Sequence, residues 1–272
     1  MKKFVLVIIA LFLGASFAAC RVGGEPAPEP FSYITDKGTL VIGVGESFEP
    51  MVFKDANGAL TGYDVDLANE VGKRMGVEIE FLPIDMNAKV LQLYGKKIDC
   101  LWYGISTNDE SNAAVTYAPR DANGNLTGYL SNSIAIVVKS GSVISSLADL
   151  RGKVAALGDQ KAKTALEANL SVRESIRETV DFTNINQAFA DLDNDVTDAI
   201  ITDKVTALYY ANSNPGKYKI LEETLLDEVF GIGFRDEAAE LREEVQRHLR
   251  AIKSDEIAKE LSEKWFGVDI SK

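Results

Sequence analysis

The sequence predicts an α/β protein made of two units, each with a largely parallel β-sheet. Short runs rich in β-branched residues alternate along the chain with segments whose apolar residues recur at three- and four-residue spacing, and this alternation is typical of α/β architecture. The pattern occurs twice. Strand-like segments at 131–139 and 228–235 join the two units, so the chain is expected to cross between them twice.

The first unit begins with a buried strand and a loop. Leu40 to Val44 is a short, mostly apolar run, as expected for a buried strand. An irregular loop, 45–51, follows it, and Asn57-Gly58 predicts a tight hairpin turn. The next helix is expected to have Asp64 as its N-cap and Gly76 as its C-terminal cap. Because α/β sheets place ligands at loops that leave buried parallel strands, the loop is expected to face a cleft.

The other elements follow from the same two periodicities. Alternating or β-branched runs predict strands, and apolar residues three and four apart predict helices. The expected strands cover 77–81, 97–104, 133–139, 154–157, 180–182 and 198–202, and the expected helices cover 87–94, 162–169, 186–193, 203–212, 238–249 and 257–265.

The chain begins like a secreted bacterial protein. Two lysines precede the apolar run 4–12, which is too short for a comfortable membrane span, so residues 1–19 are expected to be a signal peptide. Phe17-Ala18-Ala19-Cys20 resembles a bacterial lipobox, which predicts that Cys20 becomes a lipidated N-terminus. Phe17 stands where leucine is usual, so simple cleavage after a small residue is the alternative. Residues 20–30, with three prolines, are expected to form a flexible tether.

Composition narrows the class of protein. The 272 residues carry a net charge of −12, and removal of the two lysines in the signal peptide makes the chain more acidic, which argues against a nucleic-acid partner. A hydrophobic content of 46% argues against disorder. With Cys20 assigned to the lipobox, Cys100 is alone in an apolar run and is expected to be a small buried hydrophobe, with no disulfide.

Several segments together resemble a known family. They are Gly38-Thr39-Leu40, the block FKDANGALTGYDVDLANEVGKRMG at 53–76, Lys97-Ile98-Asp99, and the closing Glu263-Lys264-Trp265-Phe266-Gly267. Over about residues 34 to 267 the chain resembles the bacterial extracellular solute-binding proteins of amino-acid ABC transporters, family 3. The resemblance implies a type II periplasmic-binding fold, the Venus flytrap, in which two lobes with two hinge crossovers close on a ligand. Lobe 1 is then expected to cover 31–133 and 230–272, and lobe 2 to cover 134–229.

The resemblance also implies a function and partners. The expected function is extracytoplasmic binding of a small solute, an amino acid or a related amine, for delivery to the membrane subunits of an ABC permease. The chain is expected to be a monomer attached to the membrane through Cys20. No cofactor, metal ion or nucleic acid is expected as a partner.

Two loops of lobe 1 are expected to face the ligand. In the family, the first cleft loop supplies aromatic or apolar walls; Phe48 lies in that loop, and Met86 stands at the position of a second wall. The loop after the third strand binds the ligand carboxylate through small polar groups. There the chain has Tyr103, Gly104 and Ser106.

The cation that the family uses for the ligand carboxylate is missing. An arginine usually makes a bidentate bond a few residues after the third strand, but Ser111 occupies that position here. Arg120, in the loop beyond, could replace it or could be a solvated surface charge. On lobe 2, Asp159 lies in the segment that matches the family's anion-binding Gly-Thr/Ser turn.

Acids and aromatic residues among the candidates favour a cationic ligand. Asp203 matches the family's acidic residue for the ligand ammonium group, although its position equally suits a helix N-cap. Trp102 precedes Tyr103 on the third strand and could equally point into the core. The ligand-binding candidates are Glu46, Phe48, Met86, Trp102, Tyr103, Gly104, Ser106, Ser111, Asp159 and Asp203.

Catalysis is the main rival interpretation. His248 is the only histidine and lies on a helix striped for core packing, which argues against a Ser–His–Asp triad and a histidine–cysteine metal site. The acids at 191, 193 and 195 resemble a calcium loop, but Val196 replaces its glycine.

A dehydratase with Asp159 or Asp203 as general acid is one alternative, although its carboxylate substrates would also miss the arginine. A sensor or binding lobe with a decayed amino-acid site is another. The chain is expected not to be an enzyme.

Overall fold

The computed structural model of the chain describes residues 28–45, 47–107, 115–117 and 128–271. The predicted signal peptide, the lipidation site Cys20 and most of the predicted tether lie outside these residues, as do Glu46, Ser111 and Arg120. Within the described ranges, no helix has both the length and the apolar character needed to cross a membrane.

The described residues of the first half form three helices and five strands. They are α1 (Ser32–Lys37), β1 (Thr39–Val44), β2 (Phe53–Lys54), β3 (Leu60–Thr61), α2 (Tyr63–Met75), β4 (Glu78–Pro83), α3 (Lys89–Tyr94) and β5 (Cys100–Ser106), with a short 3-10 turn at Met86–Ala88.

The second half begins with a long strand and ends with two helices. Its elements are β6 (Leu130–Lys139), a 3-10 turn at Leu147–Leu150, β7 (Val154–Leu157), α4 (Gln160–Ala168), α5 (Leu170–Ser175), β8 (Glu178–Asp181), α6 (Ile185–Asp193), β9 (Ala199–Asp203), α7 (Lys204–Ser213), β10 (Tyr218–Phe234), α8 (Ala239–Ser254) and α9 (Ile257–Phe266).

Eight strands form one mixed sheet in the order β4-β1-β5-β10-β6-β9-β7-β8. At one end β1 pairs in parallel with β4 and β5, and at the other β7 pairs in parallel with β8 and β9. Between them, β6 and β10 run antiparallel to each other, and each runs antiparallel to its outer neighbour. Two parallel sheets are therefore joined through an antiparallel pair, which confirms the α/β fold class.

Each half of the sheet has its own hydrophobic core. The first core combines β1, α2 and β5 with the terminal helices α8 and α9, so the end of the chain packs back onto its beginning. Two cores cover opposite faces of the second half, and a smaller one in the first half includes Leu93, Leu101 and Ile105. Cys100 is fully buried in the first core and is a free thiol, as expected. His248 is buried on α8, among the apolar stripe of that helix.

The start of α2 corrects one prediction. The helix begins at Tyr63, and its N-cap is Gly62 rather than Asp64. Gly62 has φ of 136°, and a Cβ there would lie 2.1 Å from the carbonyl oxygen of Met51, so only glycine fits. Asp64 consequently lies within the first turn, where its side chain is fully buried and accepts a hydrogen bond of 2.8 Å from the hydroxyl of Tyr129.

The last part of the predicted tether is attached to lobe 1. Arg235, whose side chain is 0% exposed, donates to the carbonyl oxygens of Leu93 and Ile98 at 3.1 and 2.8 Å. It also binds the carboxylate of Glu29 at 2.7 Å, and Lys96 pairs with the same carboxylate. Glu29 therefore belongs to the folded lobe, although the composition of 20–30 predicts only a flexible tether.

Candidate functional site

A cleft of about 1040 Å³ lies between the two halves of the protein. Its first wall consists of the loop after β1, the turn at Met86–Ala88 and the second half of β5. Its second wall consists of the loops after β7 and β8, the end of β9 and the start of α7. Strands from both parallel sheets end at the cleft, which is where α/β folds place ligands.

Seven of the ten candidate residues line this cleft. They are Phe48, Met86, Tyr103, Gly104, Ser106, Asp159 and Asp203. Glu46 and Ser111 lie outside the described residues. Trp102 does not line the cleft, because its side chain is 0% exposed and packs beside the ring of Tyr129 in the first core. Successive side chains of a strand point to opposite faces, so Trp102 faces the core and its neighbour Tyr103 faces the cleft.

Phe48 forms an aromatic wall because Gly104 leaves room for it. Gly104 has φ of 71°, and a Cβ at this position would lie 2.5 Å from Cε1 of Phe48. The ring of Phe48 therefore lies directly against the backbone of β5. It also meets the ring of Phe230 edge-on, with the centroids 6.0 Å apart. Phe230 belongs to β10 and is completely buried.

A buried hydrogen-bond chain supports the Gly104 backbone from behind. The amide of Gly104 donates to the hydroxyl oxygen of Tyr129 at 3.1 Å, and this hydroxyl donates to Asp64. Burial raises the pKa of Asp64 to about 8, and the hydrogen bonds that it accepts oppose this shift only in part. The cleft wall is thus connected to the first turn of α2.

Asp159 caps a helix on the second wall and lies beside Asp203. It is the N-cap of α4, since its side chain accepts a hydrogen bond of 2.7 Å from the amide of Ala162. The residue before it, Gly158, packs so closely on β9 that a Cβ would lie 2.7 Å from Oγ1 of Thr202. This close approach brings Asp159 to the end of β9, beside Asp203.

Asp203 belongs to a buried acidic group at the centre of the sheet. Asp203 and Glu228 are 1% and 3% exposed, and the side-chain amide of Asn132 donates a hydrogen bond to each of them. Asn132 and Glu228 are paired across β6 and β10. Although Asp203 occupies the N-cap position of α7, its side chain makes no capping hydrogen bond there. The side chain of Asp203 therefore does not cap α7, and its role in ligand binding stays a prediction.

Lys161 supplies a cation to this group. It is not among the candidate residues that the sequence predicts. Its ammonium lies 3.2 Å from Glu228 Oε1 and 3.6 Å from Asp203 Oδ1. It also lies above the rings of Phe230 and Phe48, at 5.0 and 6.0 Å from their centroids. The positive charge of a lysine in the first turn of a helix interacts unfavourably with the helix dipole. This unfavourable position is the sequence signal that could have identified Lys161.

The charges of these groups shift one another's pKa values. Burial raises the pKa of Asp203 well above its usual value; Lys161 counteracts the shift, whereas Asp159 and Glu228 add to it. For Lys161, burial acts to lower the pKa, but the carboxylates of Asp203, Glu228 and Asp159 outweigh it and raise the pKa above the usual lysine value. Lys161 is therefore charged at neutral pH.

The charge of the cleft is negative. Glu49, Asp85, Asp159 and Asp203 line it, whereas Lys161 is the sole cation among the described lining residues. The described part of the chain contains no group of three or more histidine, cysteine or acidic residues that could hold a metal ion. The site can therefore attract a small organic cation through carboxylates and aromatic faces.

The chain is similar to known amino-acid-binding proteins over nearly its whole length. The family model of the bacterial extracellular solute-binding proteins, family 3, matches residues 40–268. The L-cystine-binding protein TcyA of Bacillus subtilis is 28% identical, over 100% of both chains. The lysine/arginine/ornithine-binding periplasmic protein of Escherichia coli is 26% identical, over 99% of each.

The fold of the chain is also similar to that of a solved structure. The substrate-binding protein of a polar amino acid ABC uptake transporter from Streptococcus thermophilus superposes with a TM-score of 0.74 and 25% identity. The match covers 90% of this chain and 92% of that one. A match of this extent includes both parallel sheets and the strands between them.

Proposed function

Because the chain belongs to family 3 of the bacterial extracellular solute-binding proteins, we propose that it binds a small cationic amino acid or related amine in its cleft. It delivers this solute to the membrane subunits of an amino-acid ABC transporter. The protein acts as an extracytoplasmic monomer, and lipidation of Cys20 attaches it to the membrane. It binds the solute without converting it.

The charge of the cleft supports a cationic solute. Four carboxylates line the described part of the cleft against the ammonium of Lys161, and Asp203 is 1% exposed. Asp203 accepts a hydrogen bond from Asn132, but its nearest cation, the Lys161 ammonium, lies 3.6 Å away, so a ligand cation at closer range would add an electrostatic interaction to this buried carboxylate. The relative from Escherichia coli, which binds lysine, arginine and ornithine, supports the same class of ligand.

The dimensions of the cleft support binding by closure. Its volume, about 1040 Å³, slightly exceeds the range for small-molecule sites, which is about 300–1,000 Å³. A single amino acid would remain in contact with water unless the walls approach one another. Phe48 and Met86 belong to one wall, and Asp159 and Asp203 to the other, so closure brings apolar and acidic groups onto the same ligand.

The dehydratase alternative depends on a general acid in the cleft. The raised pKa of Asp203 is the observation that favours it, since a protonated carboxyl group can donate to a leaving group. Asp203 is already held by Asn132 and lies near Lys161. These contacts suit a fixed binding carboxylate better than one that exchanges protons with a substrate.

The test compares arginine with citrulline, whose side chain has nearly the same shape and no charge. Binding to the mature protein is measured by calorimetry and by thermal shift, because a ligand that binds only the folded state raises the melting temperature. We expect arginine to bind and citrulline to bind at least tenfold more weakly. Asp203→Asn should weaken arginine binding by about 30-fold or more, the effect of breaking a buried charge pair.

Asp181→Asn is the matched control. Asp181 is an acid of the same lobe, but it is exposed and pairs with Lys163 at the surface. Equal affinity for arginine and citrulline would refute the cationic ligand. Absence of binding for every amino acid and amine would refute the binding function. Product formation from a prephenate-like carboxylate would favour the dehydratase.

A further inference from the structure

The ammonium of Lys161 lies among groups that suit a ligand cation. We define the acidic subsite as the carboxylates of Asp203 and Glu228 together with the ring faces of Phe48 and Phe230. All four lie around the Lys161 ammonium, which is the only cation within ion-pair distance of the two carboxylates among the described residues. The Lys161 ammonium thus occupies the acidic subsite, in which Asp203 and Phe48 line the cleft and Glu228 and Phe230 are buried next to it.

The subsite has hydrogen-bonding capacity that Lys161 does not use. Glu228 Oε1 accepts from Asn132 and Lys161, but Glu228 Oε2 has less than 1 Å² of exposed surface and no hydrogen-bond partner in the described structure. Glu228 is 3% exposed. Buried carboxylate oxygens are normally paired, and an unpaired one costs free energy. The acidic subsite therefore contains an acceptor that Lys161 leaves unpaired.

Lys161 lies farther from its carboxylates than Lys163 and Lys217 lie from theirs. Its distances to the two carboxylates, 3.2 and 3.6 Å, exceed those typical of charge-assisted hydrogen bonds, about 2.7–2.9 Å. Lys163, on the same helix, pairs with Asp181 at 2.9 Å, and Lys217 pairs with Asp193 at 2.6 Å. The side chain of Lys161 is 29% exposed and lines the cleft, so a way out to solvent is open.

The balance of charge decides between two roles for Lys161. As an anchor for a ligand carboxylate, it would have to attract an anion to a place where Asp159, Asp203 and Glu228 already surround it. Three acidic groups against one ammonium leave a negative excess, which repels an anion and attracts a second cation. The surroundings therefore favour replacement of the Lys161 ammonium by another cation.

We propose that Lys161 is an internal competitor of the ligand. In the unliganded protein its ammonium occupies the acidic subsite, and a ligand ammonium or guanidinium binds there by displacing it towards solvent. Because displacement is part of the binding equilibrium, the affinity is reduced by the fraction of molecules in which Lys161 blocks the subsite. The inference depends on the proposed function, since it requires a cationic ligand in this cleft.

Lys161→Met is the direct test, because methionine keeps much of the apolar stem and removes the charge. We expect arginine and agmatine, which differ by the α-carboxylate, both to bind at least about tenfold more tightly to the variant. The unliganded variant should melt at a lower temperature, since Asp203 and Glu228 lose their cation. Lys163→Met, which removes a surface lysine of the same helix, should leave both affinities unchanged.

A second variant covers the case in which Lys161→Met folds poorly. Glu228→Gln in the same background removes one of the two buried charges, so it should restore the melting temperature and abolish the gain in affinity. Both the melting temperature and the affinity are measured on the double variant and compared with wild type. They therefore do not depend on the yield of Lys161→Met alone.

The outcomes separate this inference from the proposed function. If wild type binds arginine and Lys161→Met binds it equally or more weakly, the competitor is refuted and the proposed function stands. Weaker binding of arginine with unchanged binding of agmatine would assign Lys161 to the ligand carboxylate. If neither protein binds arginine, agmatine, lysine or cadaverine, both proposals are wrong.

Discussion

Asp64 gives a prediction whose size follows from the structure. Its carboxyl group is fully buried in the first turn of α2, and burial raises its pKa from 3.8 to about 8. Between these two pH values the unfolded chain has released the proton, whereas the folded protein retains it. The free energy of unfolding therefore falls as the pH rises through this window, and it levels off above pH 8. Asp64→Asn, which stays neutral in both states, removes this dependence.

Each pKa unit corresponds to about 1.4 kcal/mol, so wild type should lose roughly 3–4 kcal/mol between pH 5 and pH 8 through Asp64 alone. Urea denaturation at these two pH values measures the loss, and the quantity of interest is the difference between wild type and Asp64→Asn. Contributions from the other groups are the same in both proteins and cancel in this difference. Asp36→Asn, at an exposed position of α1, is the control and should follow wild type. Parallel pH dependences for wild type and Asp64→Asn would refute the reasoning.

Two further substitutions test the contacts of Arg235 with Glu29 and of Gly104 with Phe48. Arg235→Met leaves the Glu29 carboxylate without its buried partner and should lower the free energy of unfolding by about 3–5 kcal/mol, measured in urea. Glu29→Gln in the same background should recover part of the loss, and a loss below about 1 kcal/mol would contradict the buried attachment. Gly104→Ala should weaken solute binding, measured by calorimetry, because its Cβ would displace the ring of Phe48. Gly141→Ala, which meets no atom within 4 Å, should be silent; equal affinities for both variants would exclude Phe48 from the binding wall.

The parts of the fold that depend on local patterns could be predicted from the sequence. The apolar run at 40–44 predicts a buried strand, and β1 covers Thr39–Val44. The segment 131–139 predicts a crossover strand, and β6 covers Leu130–Lys139. The loop after β1 lines the cleft because the carboxyl ends of parallel strands meet at one edge of the sheet. Each of these inferences needs only neighbours along the chain.

The remaining features depend on contacts between distant segments. Trp102 and Tyr103 are both aromatic residues of one strand, and only the packing of Trp102 near Tyr129 shows which of them faces the core. Asp64 was the expected N-cap of α2, and only the close approach of the Met51 backbone shows why Gly62 takes that position. Asn132 is 96 residues from Glu228 in the sequence, so no local pattern reveals that it bridges two buried acids. The lobe bounds and the ligand contacts of the candidate residues stay predictions.

The position of the acidic subsite gives a physical reason for coupling between ligand charge and lobe closure. Glu228 and Asn132 are opposite each other on the strands that join the two parallel sheets, Asp203 ends a strand of the second sheet, and Phe48 belongs to a loop of the first. A ligand cation in the acidic subsite would touch both walls of the cleft and the strands β6 and β10 between them. Its interaction energy with the protein would therefore be greatest when the walls are close together. Lys161 makes distances of 3.2 and 3.6 Å to the two acids. A free ligand is not restrained by a helix, so it can form shorter hydrogen bonds than Lys161 does, and this difference in interaction energy is what can favour the closed state.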